Sequence, residues 1–216
     1  MLRLSTSPAI KKAVASQRPY HRVNLKHSLL DSAVALIGDV GPQAFTLREV
    51  ARRAGVSHNA PYRHFASKDE LLVAVALEGF DRLTRTMEEH LAAGQSPAER
   101  LALAGCGYVD FALRWPNHFL VMFELPTTLG EECRQIEVGQ NAFQVLLDCV
   151  LATQSSGGIL AGDPMPYAFT AWSLVHGIAK LAVSGNLPMD AAATLEFTRT
   201  AAVQMLNGLK SFPFDR

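Results

Sequence analysis

The sequence predicts an all-α protein of about nine helices, and three observations carry that expectation. Apolar residues recur at helical spacing through most of the chain, no segment alternates apolar and polar residues as a half-buried strand would, and capping signals stand where the periodic runs begin. At 216 residues, with 49% hydrophobic and 19% charged side chains, the chain has material for a sizeable packed core. The most apolar stretch, Tyr167 to Gly185, is interrupted by His176 and Lys180, which suits a buried helix better than a membrane span. No membrane partner is expected. Three widely spaced cysteines, Cys106, Cys133 and Cys149, and no leader-like apolar block point to a reducing cytoplasm.

Residues 1–22 mix Ser, Pro and basic residues without period and read as a basic arm. The first helix begins near Asn24, with Leu25, Leu29, Ala33, Leu36 and Val40 on its apolar stripe, and closes before Gly41-Pro42. Thr46-Leu47-Arg48-Glu49 is a capping box that opens a second helix, which Gly55 ends. Ser57 then caps a third helix over 58–65, so two short helices joined by a tight turn form a helix-turn-helix. Ser67 to Glu70 and Ser96 to Glu99 are two further boxes, starting helices over 68–91 and 97–115. Further helices are expected over 117–125, 129–154, 165–184 and 190–208, divided by Pro116, Pro126, the loop 155–162 and the segment 185–188. The domain division is then an arm (1–22), a head (23–70) and a body (71–216).

The formal net charge is zero, but residues 1–68 carry eleven Lys and Arg against three Asp and Glu, and the rest is acidic by the same margin. A basic head on an acidic body suits a protein that offers one end to a polyanion. A basic tail with no partner would give part of the same signal.

The stretch Thr46 to Leu72, TLREVARRAGVSHNAPYRHFASKDELL, resembles the DNA-binding motif of the tetracycline-repressor (TetR) family of regulators. The resemblance rests on the capped second helix, the Gly55-Val56-Ser57 turn, the Tyr62 and Phe65 pair and the Ser67-Lys68 helix start. Trp172-Ser173-Leu174-Val175-His176-Gly177 is similar to the tryptophan-histidine-glycine (WHG) signature of one group of that family's C-terminal domains. The resemblance implies a transcriptional regulator, by family default a repressor. It would bind a palindromic operator in double-stranded DNA as a homodimer and be released by a small-molecule effector.

In such a head the first turn of the recognition helix faces the base edges. Those residues are His58, Asn59 and Ala60. Asn59 can pair with N6 and N7 of adenine, and Ala60 can offer a methyl to thymine. Phosphate contacts are expected from Thr46, Arg48, Tyr62, His64 and Lys68, and Arg63 is also placed among the DNA-binding residues. Lys68 stands in the first turn of its helix, against the macrodipole, and a phosphate would account for it. Pro61 lacks an amide donor and alters the helix start. Leu47, Val50, Ala51, Val56, Ala60 and Phe65 equally read as core, Arg52 and Arg53 as a solvated face, and Tyr62 as packed on the first helix.

In the body, Phe111, Trp115, Phe119, Met122, Phe123, Phe143, Trp172 and His176 fall at helical spacings and form either plain core or the wall of an effector cavity. The last two helices are apolar on more than one face and are expected to pair with a second copy. No catalytic constellation, phosphate loop, cofactor motif or paired metal spacing stands out. A different class of function, an all-α ligand-binding or interaction protein whose basic head docks on acidic protein, shares these features.

Overall fold

The computed structural model describes residues 25–125 and 137–210; the arm at 1–22, the residues around Pro126, and Cys133 lie outside the described residues. Eight α-helices and no strand occur among the described residues: α1 (25–40), α2 (Leu47–Arg53), α3 (Lys68–Leu91), α4 (Pro97–Arg114), α5 (Pro116–Glu124), α6 (Glu137–Ser155), α7 (Pro164–Val183) and α8 (Ala191–Gly208). Contacts divide the chain into two units after Ala74, within α3, rather than after residue 70.

The helix starts follow local chemistry. At Thr46 the hydroxyl accepts from the Glu49 amide at 3.3 Å, while the Glu49 carboxylate accepts from the Thr46 amide at 2.7 Å. The other two boxes are completed differently: Ser67 and Ser96 cap the amides of Glu70 and Glu99 at 3.1 and 3.2 Å, but those glutamates reach back one residue further, to the amides of Ala66 and Gln95. Asp163 and Asp190 cap α7 and α8 through the amides of Met165 and Ala193. Gly55, with φ +67°, adopts the left-handed conformation that ends α2.

The expected third helix over 58–65 does not form. Residues 57–60 make a turn and Pro61–Arg63 a single 3₁₀ turn. Pro61 is the cause: it has no N–H to give to the Ser57 carbonyl, which instead takes the Ala60 amide at 2.9 Å in an i to i+3 bond. The head is therefore two α-helices, a tight turn and the start of α3, rooted by Leu29, Ile37, Val50, Phe65, Leu71 and Leu72, all buried.

In the body α4 is the central helix, packed against α5, α6, α7 and α8. It also meets the second half of α3 very closely. A Cβ at Gly107 would lie 2.7 Å from both the Met87 Cα and the Thr86 carbonyl oxygen. Close by, His90 Nε2 and Asp110 Oδ2 are 2.9 Å apart. Gly79 makes the equivalent approach from α3 to α5, but there the obstacle is the Met122 side chain, with Sδ 2.5 Å away. Beside it Glu78 pairs with Arg82 and lies 3.9 Å from Nε2 of His118, which is buried with neither ring nitrogen hydrogen-bonded. That separation exceeds a hydrogen bond, so the contact is a near approach rather than a bond. His118 and Arg82 together hold the Glu78 carboxyl down at about 2, against the opposing effect of burial.

The two glycines predict different outcomes. Gly107→Ala gains helix propensity yet should lose about 1 to 3 kcal/mol, because backbone of α3 must move. Gly79→Ala should cost less, since side chains rather than backbone must give way, chiefly the Met122 end and to a smaller extent the His118 Cβ at 3.3 Å. Urea unfolding of both variants checks the order.

Candidate functional site

Two places on the chain gather candidate functional side chains, one in each unit. In the head, the turn created by Pro61 sorts its residues sharply. His58, Asn59, Tyr62 and Arg63 are exposed, Tyr62 to 52%, while Ala60, Pro61 and Phe65 are buried. Ala60 is only 7% exposed, so its methyl belongs to the core and is not available to a base edge. Tyr62, by contrast, is not packed away. Arg48 and Arg52 are exposed on α2, Arg53 pairs with Asp39, and the half-buried His64 lies against the Phe65 ring at a centroid distance of 6.4 Å.

Thr46 and Lys68 are engaged within the head. The Thr46 hydroxyl also donates to the Glu49 carboxylate at 2.9 Å, so both its amide and its hydroxyl are already used. The Thr46 hydroxyl, then its amide, holds the Glu49 carboxyl below its ordinary range and keeps it ionised. An anion approaching the start of α2 meets that carboxylate. Lys68 Nζ donates to the Gln43 carbonyl at 2.8 Å and stands 4.8 Å from the Phe45 ring centroid. These contacts explain a cation in the first turn of α3 without a phosphate.

In the body a cavity of about 490 Å³ is bounded by α3 through α8. Of the residues expected there, Met122, Phe123, Phe143 and Trp172 line it. Phe119 and His176 stand one layer back: the His176 ring lies 5.4 Å from Phe119 and 4.7 Å from Phe123 by centroids. Phe111 is fully buried core. Trp115 lies elsewhere, in a charged cleft with the guanidinium groups of Arg82 and Arg114 at 5.3 and 5.1 Å from its ring. Its helical spacing from Phe111 placed it on the stripe, but α4 ends at Arg114 and the chain turns at Trp115 to begin α5.

The residue the sequence reading missed is Tyr108. It lines the cavity from α4, and its hydroxyl is the meeting point of a short polar chain: 2.9 Å from His176 Nδ1, and accepting from Trp172 Nε1 at 3.3 Å. Burial pushes the phenol above its ordinary range and, with Lys180 nearby, pulls His176 below its own, so both are neutral at neutral pH. The available signal was a phenol among the apolar residues of α4, between Gly107 and Val109, which requires a buried partner for its oxygen. Phe80, Leu83 and Met87 of α3 also line the cavity.

The last two helices divide their apolar residues between two duties. Trp172 and Val175 of α7 and Met205 of α8 face the cavity, and Leu206 is core. Leu181, Phe197 and Val203 are left exposed. No helix among the described residues is long and apolar enough to cross a membrane, and no group of side chains among them could hold a metal ion.

Known proteins match both units. The family model described as "Bacterial regulatory proteins, tetR family" matches residues 29–75, and that described as "Tetracyclin repressor-like, C-terminal domain" matches residues 101–203. The chain is 35% identical over 77 residues to the HTH-type transcriptional regulator BetI of Rhizobium meliloti, which is 36% of this chain and 38% of BetI, so it spans less than half the length of that relative. Among solved structures, a protein of unknown function from Rhodococcus sp. RHA1 is 31% identical with a TM-score of 0.73, covering 87% of this chain and 96% of the other. The regulator FadR from Bacillus subtilis, solved in complex with stearoyl-CoA, shares the fold at 19% identity and a TM-score of 0.69, covering 86% and 97%. With its head matched by one model and its body by the other, the chain belongs to the TetR family of bacterial regulatory proteins.

Proposed function

We propose that the protein is a sequence-specific transcriptional regulator, a repressor, that binds a palindromic operator as a homodimer and leaves it when a small molecule fills the body cavity. The observation that carries this reading is the sorting at the Pro61 turn, where His58, Asn59, Tyr62 and Arg63 face solvent on a base of buried Ala60, Pro61 and Phe65. A short, rigid, exposed set holding an amide, an imidazole, a phenol and a guanidinium is suited to base edges and phosphates in one groove. Asn59 is the base reader in this account; Arg48, Tyr62 and Arg63 position the head on phosphate. Thr46, Ala60 and Lys68 act from within the fold, by holding α2, the turn and α3 in place.

The body supplies the release. A cavity of this volume with an apolar wall and few polar groups has the character of a small-molecule site, and stearoyl-CoA bound to FadR is a precedent on the same fold. The homodimer is supported by Leu181, Phe197 and Val203, exposed apolar side chains on the two helices expected to pair. A two-fold dimer would double the contacts of a head that is small by itself. The cytoplasm is where such a regulator meets its DNA.

Two measurements test this reading. Asn59→Ala should cost about 1 to 3 kcal/mol on the operator in gel-shift titrations and relax preference at one base pair in each half-site, leaving non-specific affinity nearly unchanged. Equal loss on operator and random DNA would instead make Asn59 a backbone contact. Phe197, 40% exposed, should tolerate Phe197→Glu within about 0.5 kcal/mol of fold stability. In sedimentation that variant should be monomeric at micromolar concentration and bind operator weakly; a stable dimer would place the interface elsewhere.

A further inference from the structure

The cavity has a chemical character more specific than apolar. Among the described residues that line it none carries a charge, so no guanidinium or ammonium waits for an acid and no carboxylate waits for an amine. Its walls are mainly aromatic and aliphatic side chains, with Met87, Met122, Met165 and Met205 able to adjust to a ligand's outline. Polar side chains of the wall are few, the amides of Gln140 and Gln144 among them, and one is the Tyr108 phenol on the central helix, its hydroxyl already in contact with two partners.

Counting that oxygen's capacity shows what it has left. A phenol can donate once and accept twice. Trp172 Nε1–H can only donate, so it takes one acceptor site. His176 Nδ1, in a neutral ring, either accepts the Tyr108 proton or donates to its oxygen. In the first arrangement the phenol can accept one more bond, and in the second it can donate one. Exchange of the imidazole tautomer therefore lets one hydroxyl serve a ligand oxygen in either sense. It could also donate to a carboxylate, but among the described lining residues no counter-ion would replace the hydration that a full negative charge leaves behind.

Resting on the reading of the cavity as an effector site, we infer that its ligand is an uncharged, largely apolar molecule with one neutral oxygen, a hydroxyl or carbonyl, seated on Tyr108 and backed by His176 and Trp172. Tyr108 is then the specificity-determining residue. A carboxylate of the same shape binds more weakly.

Three probes of one shape separate these terms: biphenyl, 4-phenylphenol and biphenyl-4-carboxylate, titrated calorimetrically into the full chain at pH 7. The expected order is 4-phenylphenol tightest, biphenyl about tenfold weaker, as one hydrogen bond would give, and the carboxylate weaker still. Tyr108→Phe, with its fold checked by thermal unfolding, should bring 4-phenylphenol to the level of biphenyl while leaving biphenyl within about threefold of its value in the unaltered chain. A carboxylate that binds as tightly as the phenol, or a Tyr108→Phe variant that keeps the preference for the phenol, overturns the inference, as does absence of binding by all three. Should the variant not fold, the order in the unaltered chain still decides. Gel shifts on the same samples keep the two claims apart. The expected order without any change in DNA binding would uphold the ligand chemistry and refute the cavity's role as an effector site.

Discussion

The body depends on one close approach, that of Gly107 in α4 to the backbone of α3 at Thr86 and Met87. Two helices can come this near only where a side chain is missing. Once α4 is held there, its remaining faces meet α5, α6, α7 and α8, and the next residue, Tyr108, is carried into the cavity wall. The position of the phenol relative to Trp172 and His176 thus follows from the absence of a Cβ one residue earlier. A further consequence concerns rigidity. Tyr108 follows directly on a backbone contact, and its hydroxyl is held by His176 and Trp172, so on the inference drawn above less ordering would remain to be done on binding.

The head is organised by a smaller constraint of the same kind, the missing amide of Pro61. An unbroken helix over 58–65 would have carried its side chains round at 100° per residue, mixing buried and exposed positions differently. The 3₁₀ turn instead keeps Ala60, Pro61 and Phe65 inward and leaves His58, Asn59, Tyr62 and Arg63 outward. Both units therefore owe their functional geometry to a residue that lacks something, a side chain in one case and a donor in the other.

What was legible in the sequence follows from which interactions are local. Helix starts were readable because a cap is a contact between residues two to four apart, and the Thr46, Ser67 and Ser96 starts formed where expected, with only the partner of the returning glutamate shifted in two of them. The end of α2 at Gly55 was readable for the same reason. The consequence of Pro61 was half readable: the lost donor is in the sequence, but the Ala60 to Ser57 bond that replaces it belongs to the folded turn. The partners that Thr46 and Lys68 hold within the head, the returning Glu49 carboxylate and the distant Gln43 carbonyl, are contacts that periodicity does not report. The aromatic stripe was visible as a stripe. Whether a ring faces a cavity or a neighbour depends on contacts many residues apart, which is why Tyr108 was missed, Phe111 proved to be core, and Trp115 lay outside the cavity altogether.

The central claim is that this chain reads DNA sequence through a two-fold arrangement of its heads. Selection of bound duplexes from a library of random sequence, at a salt concentration high enough to suppress non-specific binding, tests it most directly. The account predicts convergence on one site made of two inverted half-sites whose centres lie about one helical turn, ~34 Å, or a multiple of that apart. Survivors that remain as diverse as the starting library, or a single half-site without its inverted mate, would contradict it.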